Sequence, residues 1–326
     1  MAILAFLIVL AGSFFYFLNQ VENSRGLAGR QEFEIRKGEG SKSVGKMLEE
    51  RGLIKDDVYF FYYIWSKGLA GNILPGKYQI ESLTIPEIVS LITTEQKKEI
   101  KITFPEGWTM RQMADRLSEK GFSGEEFLAL SQKPGNFKET FPWLDDSRIK
   151  SLEGFLFPDT YLFFPDNSAE EIIGKMLSNF DLKFDSEMDA WAEKKGESLW
   201  EIVTLGSIIE REVKSDEDRK IVSGIFRKRM KIGQALQSCA TIAYILGENK
   251  KQYSFEETRI PSPYNTYLNP GLPAGPIGNP GLSSLEASLY PEDSSYQYFL
   301  TNPETGKTIF SQTLEEHNMR KREVGL

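Results

Sequence analysis

The sequence predicts an α+β protein: an apolar N-terminal helix, a small β-α-α-β module, and a larger, mostly helical domain with a proline- and glycine-rich cleft loop and short strands. Three observations carry this. Ala2 to Leu18 runs without a charge. Two later stretches repeat one spacing of apolar and glycine positions. From about Ile149, amphipathic helical patterns follow one another closely, broken between Pro261 and Gly281 by a run that can be neither long helix nor central strand.

The apolar run comes first. It sits at the short end of the ~17–25 residues that cross a bilayer and exceeds the ~7–15-residue core of a cleaved signal peptide. An uncleaved single-pass anchor over 1–21 is the favoured reading, with a signal peptide and a buried core helix as alternatives. The flanking charges do not fix its orientation. Arg25, Arg30, Arg36 and Lys37 all follow the segment, which is the opposite of the usual bias for an exported domain.

Residues 22–31, polar with Gly26 and Gly29, read as a linker. The module at 32–98 begins with Phe33, Ile35, Gly38, Val44, Leu48, Gly52 and Leu53. At one constant offset these match Ile102, Phe104, Gly107, Met113, Leu117, Gly121 and Phe122. Each copy reads as a strand, a Gly turn, a helix closed by glycine in the left-handed conformation, and a second helix (57–67, 124–132). In the first copy, Leu74 to Ile80 supplies a returning strand. The second copy, 99–135, shows no clear closing strand and opens the larger domain, 99–326. A genuine duplication and a chance likeness of two amphipathic units both fit.

Helices are expected at 169–180, 186–195, 198–214, 216–230 and 236–247. The third starts on a capping box, Ser198 with Glu201. Ser283 and Glu286 suggest a cap for a short helix to Tyr290, and strands follow at 296–300 and 308–310. The run from Pro261 to Gly281 carries Tyr264, Tyr267, Leu268, Leu272 and Ile277, too much apolar surface for disorder, so it reads as an ordered loop lining a cleft. Asn265 is its candidate substrate-binding amide; a satisfied structural Asn is the alternative.

Composition narrows the chemistry. Lys plus Arg number 39 against 47 Asp plus Glu, a net charge of −8, which argues against nucleic acid as partner. With 1 Cys and 1 His, Cys239 and His317, intrachain disulfides, CxxC zinc sites and His-rich metal sites are excluded. Carboxylates remain as catalytic groups. On the helix at 198–214, Ile202, Leu205, Ile209 and Val213 share a buried stripe with Glu210 at its edge. Gly206 and Ser207, one turn earlier, suggest open space beside that carboxylate. Apolar surroundings would raise its pKa toward that of a general acid; pairing with Arg211 or Lys214 is the alternative.

The first module, FEIRKGEGSKSV at 33–44, resembles LysM, which holds N-acetylglucosamine polymers in a groove. Four segments in fixed order, LEGFLFPDTY, TLGSIIEREV, FRKRMKIGQALQS and SPYNTYLNPGLPAGPIGNPG, with the terminal TLEEHN, resemble the bacterial endolytic murein transglycosylase (YceG-like) family. The resemblance implies cleavage of β-1,4 bonds between N-acetylmuramic acid and N-acetylglucosamine within peptidoglycan, leaving 1,6-anhydromuramoyl ends, with neither cofactor nor metal. It implies peptidoglycan strands and their synthases as partners, no nucleic acid, and a single-pass plasma-membrane location with the catalytic domain outside. The essential acid of the family maps to Glu210, with Glu153, Gln237, Tyr264 and Asn265 as expected sugar contacts. Glu153 has two rivals to that role: second carboxylate of a hydrolase, and structural loop cap. Cys239-Ala240 stands where the family usually has Asp-Pro. The competing readings are a non-catalytic, membrane-anchored glycan-binding scaffold and a Cys239–His317 hydrolase.

Overall fold

The computed structural model describes residues 2–23, 30–94, 98–250 and 252–325, with the side chains of 2–11 and 23 outside that description. The chain divides into two compact units, 1–97 and 98–326.

In the first unit, helix α1 (Ala2–Asn23) precedes strand β1 (Gln31–Ile35), helices α2 (Ser41–Glu50) and α3 (Asp57–Ser66), strand β2 (Gly76–Ile80) and helix α4 (Ile85–Thr93). β1 and β2 pair antiparallel with Phe33 opposite Tyr78. Alternation puts Phe33, Ile35, Tyr78 and Ile80 on one face. There they meet Val44 and Leu48 of α2, Phe60 and Ile64 of α3, and Ile85, Ile88 and Ile92 of α4. The β-α-α-β order agrees with the sequence reading; α4, opened by a Thr84–Glu87 capping box, is an addition to it.

The anchor is not supported by this fold. Most of the apolar run, 2–11, has side chains outside the described residues. The described part of α1 turns Phe17 onto the rings of Tyr59 and Tyr62, at 5.1 and 4.6 Å between centroids, and buries Val21. Asn19, Gln20 and Glu22 follow on the same helix. Among the described residues, no helix is long and apolar enough to cross a membrane.

The second unit opens with strand β3 (Ile100–Thr103), helices α5 (Met110–Glu119) and α6 (Gly124–Ser131), and strand β4 (Thr160–Phe163). β4 pairs antiparallel with β3, Ile102 opposite Tyr161. The second copy therefore does have a closing strand, contrary to expectation. It lies well beyond α6, inside the LEGFLFPDTY segment and its continuation. Gly38 and Gly107 both have positive φ (89° and 76°), as do Gly52 and Gly121 (67° and 87°), so the glycine positions matched in sequence share backbone conformation.

Helices α7 (Ala169–Lys183), α8 (Ser186–Lys195), α9 (Leu199–Glu212), α10 (Asp216–Lys231), α11 (Cys239–Leu246) and α12 (Leu282–Leu289) follow, then strands β5 (Tyr298–Thr301) and β6 (Thr308–Ser311) and helix α13 (Leu314–Glu323). Several boundaries shift from the sequence reading, α7 running to Lys183 and β5 starting at Tyr298 among them, and two of the shifts have a local cause. α11 starts at Cys239, because Gln237 takes a left-handed φ of 54° that no helix interior allows. α12 is capped by the backbone of Gly281, not by Ser283 and Glu286.

α9 is the central element. Its first half, Ile202 and Val203, joins a core with Phe155, Phe180, Leu285 and Leu289. Its second half, Leu205, Ile208 and Ile209, joins another with Val222, Phe226, Leu236 and Ile277. Because both halves are fixed, its last turn is held firmly, and that turn carries the charged residues of the site.

Candidate active site

Three consecutive charged residues end α9, and at about 100° per residue they diverge. Glu210 turns toward α10 and α12. Its Oε1 meets Arg219 at 2.8 Å and its Oε2 accepts from Gly281 N at 3.0 Å, with only 6% of the side chain exposed. Arg211 donates to Ile277 O and Asn249 Oδ1. Glu212 turns toward the start of α11, where its Oε1 accepts from Ser238 Oγ and from Ala240 N. Val213, in extended backbone, ends the helix immediately after.

The open space expected beside Glu210 is absent. A Cβ on Gly206 would lie 3.3 Å from Ser284 O, so the small residue serves the close approach of α12 to α9. Ser207 Oγ is spent on Thr204 O and Ile277 N. Glu210 faces a guanidinium and a backbone amide where the sequence suggested apolar surface.

The open space lies at Glu212. A cavity of about 500 Å³ is lined by Glu212, Gln237, Tyr267 and Tyr298, together with Arg229, Cys239, His317 and Lys321. Glu212 is the one carboxylate among its lining residues. Both of its hydrogen bonds fall on Oε1, which leaves Oε2 for a ligand. Burial pushes this carboxyl above the ordinary glutamate range, opposed by the Ser238 and Ala240 donors and by the charges of Arg229 and Arg211. Gln237 presents its amide here from a backbone held in place by Gln237 N donating to Thr266 O at 3.0 Å. A non-glycine residue at φ 54° costs on the order of 1 kcal/mol and persists where surrounding contacts fix it.

The other sequence candidates lie elsewhere. Asn265 is fully buried, and its Nδ2 donates to Thr258 O and Ile260 O while its Oδ1 accepts from Tyr267 N. Both amide hydrogens are spent on loop backbone, and complete burial keeps the side chain from a sugar. Tyr264 packs on Tyr244 at 5.0 Å between centroids and does not line the cavity. Glu153 lines a second cavity of about 380 Å³ with Arg211 and Tyr244. Its Oε1 accepts from Met110 N, at the first residue of α5, and from Asn279 Nδ2, while Thr109 and Gln112 form the capping box of that helix.

Burial raises Glu153 to about 8, opposed chiefly by the Met110 amide. A carboxyl raised in the folded state binds its proton more tightly there than in the unfolded chain. Its stabilising contribution is therefore complete below the ordinary value of 4.5 and is lost as pH rises to about 8. Thermal melts of Glu153→Gln across that window should show a flatter pH dependence than wild type; parallel curves would place the titration elsewhere.

Sequence reasoning missed Glu212 and also Asn279, which is fully buried. Asn279 Oδ1 accepts from Gly154 N (2.9 Å) and Leu156 N (3.0 Å), and its Nδ2 donates to Trp108 O. This one amide ties the LEGFLFPDTY segment to the proline-rich loop. The only signal for it was a polar residue inside an otherwise apolar loop end. Cys239 and His317 do share the cavity, but Cys239 Sγ is engaged by Tyr267 Oη at 3.0 Å and burial pushes its thiol up. His317, stacked on Tyr298, is pulled below the ordinary histidine value by burial, Lys321 and Arg229. A thiolate–imidazolium pair is disfavoured on both sides. Among the described residues no cluster of three or more His, Cys, Asp or Glu could hold a metal ion.

The geometry is that of a single-carboxylate site in a two-unit α+β protein. The match to known families is specific: the YceG-like family model covers residues 33–323, and the chain belongs to that family. It is 32% identical over 333 residues to the endolytic murein transglycosylase of Bacillus subtilis (strain 168), covering 96% of this chain and 90% of that one. The protein of the same name from Streptococcus pneumoniae serotype 2 is 29% identical over 312 residues, which span 87% of this chain and 56% of that longer protein. A crystal structure of a yceG-like protein from Listeria monocytogenes superposes with a TM-score of 0.63 at 34% identity, covering 90% of this chain and all of the other.

Proposed function

We propose that this protein is an endolytic peptidoglycan lytic transglycosylase in which Glu212 serves first as acid and then as base. The observation that carries the reading is a lone carboxylate in a sugar-sized cavity, raised by burial, with one oxygen anchored and the other free. Hydrolytic glycosidases use two carboxylates, one of them to activate water or attack the sugar. With no second carboxylate to activate water, the attacking group in this reading is the substrate's own 6-hydroxyl. Glu212 gives its proton to the oxygen leaving muramoyl C1 as that bond breaks. The 6-hydroxyl of the same sugar then bonds to C1, and its proton returns to Glu212. The enzyme ends in its starting state with no water consumed, and the product carries a 1,6-anhydro end.

Gln237 is the contact residue retained from the sequence reading; Glu153 and Asn265 are assigned to scaffolding. The relatives' printed names support the substrate class. The LysM-like start supports glycan holding by the first unit. The charge-free run Ala2 to Leu18 supports a location at the plasma membrane, with the catalytic unit outside it and strand-extruding synthases as partners.

Purified protein incubated with isolated glycan strands should release fragments ending in 1,6-anhydro-N-acetylmuramic acid, read by mass spectrometry. Binding without any such product would replace this reading with that of a scaffold. Reducing ends without anhydro ends would make the protein a hydrolase.

A further inference from the structure

The same cavity is electrically lopsided. Among its lining residues the charged groups are Glu212, Arg229 and Lys321. The carboxyl is biased toward its neutral form by burial, so the interior is net positive within a chain of net charge −8. Arg229 is already committed: its guanidinium donates to Leu236 O and Gln297 O and lies against the ring of Tyr298. Lys321 is not. It shows no ion pair among the described residues, and its neighbours Glu316 and Glu323 are both engaged by Arg320.

α13 explains how Lys321 comes to face inward. Leu314, His317, Asn318 and Lys321 fall at helical spacing on one face, and all four line the cavity. Lys321, Cys239 and His317 all line the cavity, and the charge of Lys321 is felt at both of the others, so the three groups share one part of it. Neither offers a negative charge: the Cys239 thiol is pushed up and the His317 imidazole is pulled down, so both are neutral near pH 7. The side chain of Asn318, on the same face, makes no hydrogen bond among the described residues and is a second free donor.

We propose that the part of the cavity bounded by Lys321, Asn318, Cys239 and His317 is a carboxylate subsite. It would recognise the acidic substituent of a muramoyl residue while Glu212 addresses the glycosidic oxygen. This rests on the glycan-cleaving reading and adds to it the feature by which muramoyl strands are told from neutral polymers of N-acetylglucosamine. The carboxylate has two sources, the lactyl group of a naked strand and the stem peptide of a substituted one.

Binding is measured with the full chain carrying Glu212→Gln, so that no ligand is consumed. The ligands are an N-acetylglucosaminyl-muramic acid disaccharide, its lactyl methyl ester, and the disaccharide-peptide with free or amidated carboxylates. The free acid should bind up to about fivefold more tightly than its neutralised partner, the scale of one partly exposed ion pair. Lys321→Met should erase that ratio and Lys321→Arg should keep it. Cys239→Asp should shrink it, because an internal carboxylate then competes for the same cation. A ratio seen only between acid and ester assigns the lactyl group; one seen only between free and amidated peptide assigns the stem peptide. Equal binding in both series, or a ratio unchanged in Lys321→Met, overturns the subsite. Wild type that yields anhydro ends without this discrimination refutes only the subsite. Discrimination without anhydro ends refutes only the lyase.

Discussion

Glu212→Gln should lower the release of anhydro-ended fragments by about 10³-fold, within the range attributed to a positioned general acid, at nearly unchanged melting temperature. The amide keeps the volume of the carboxyl and still accepts from Ser238 Oγ and Ala240 N at its oxygen, so the last turn of α9 and the start of α11 keep their contact. What is lost is the proton. Wild-type activity should fall as pH rises through the raised value of Glu212, because only the protonated carboxyl can assist the leaving oxygen. The groups that oppose this raise, Ser238, Ala240 N, Arg229 and Arg211, keep that limb from moving further toward alkaline pH. Glu210→Gln is the counterpart measurement. If it abolishes turnover at an intact melting temperature while Glu212→Gln retains activity, the sequence-based assignment to Glu210 stands and the geometric one falls.

That the two readings differ by two residues shows what a sequence can and cannot place. The apolar stripe Ile202, Leu205, Ile209, Val213 was legible because burial follows helical period, and it put the acid in the last turn of α9. Which of two carboxylates in that turn meets the cavity depends on the neighbours: α12 and Arg219 close over one, while the N-terminus of α11 and the inward face of α13 leave room beside the other. None of those contacts is local in sequence. Gly206 was read as a gap, yet small residues also mark close packing, and only the partner helix decides between the two. Asn265 and Asn279 show the same limit for amides. Both looked like, or were passed over for, ligand contacts, and both are spent on buried backbone groups that must be satisfied somewhere. β4 escaped notice because its partner β3 is far away in sequence.

Arg219→Met should destabilise the second unit by about 3–5 kcal/mol, the cost of removing one partner from a buried ion pair. The pair is nearly sealed, with 6% of the Glu210 side chain and 9% of the Arg219 side chain exposed at a separation of 2.8 Å. Without the guanidinium, Glu210 keeps only the Gly281 amide as a donor. Glu106, whose carboxyl is held above the ordinary range by burial and by the charge of Glu210, would then face that charge with less compensation. At ~2–4 °C per kcal/mol for a unit of this size, the melting temperature should drop by roughly 10 °C. The double variant Arg219→Met, Glu210→Gln removes both charges and should recover most of the loss, with a coupling of about 2 kcal/mol or more in a double-mutant cycle. It should also retain transglycosylase turnover once folded, since Glu212 and its two donors are untouched. A single variant that melts within a degree or two of wild type would mean that Glu210 is solvated in practice. Glu210 would then regain its claim to be the proton donor.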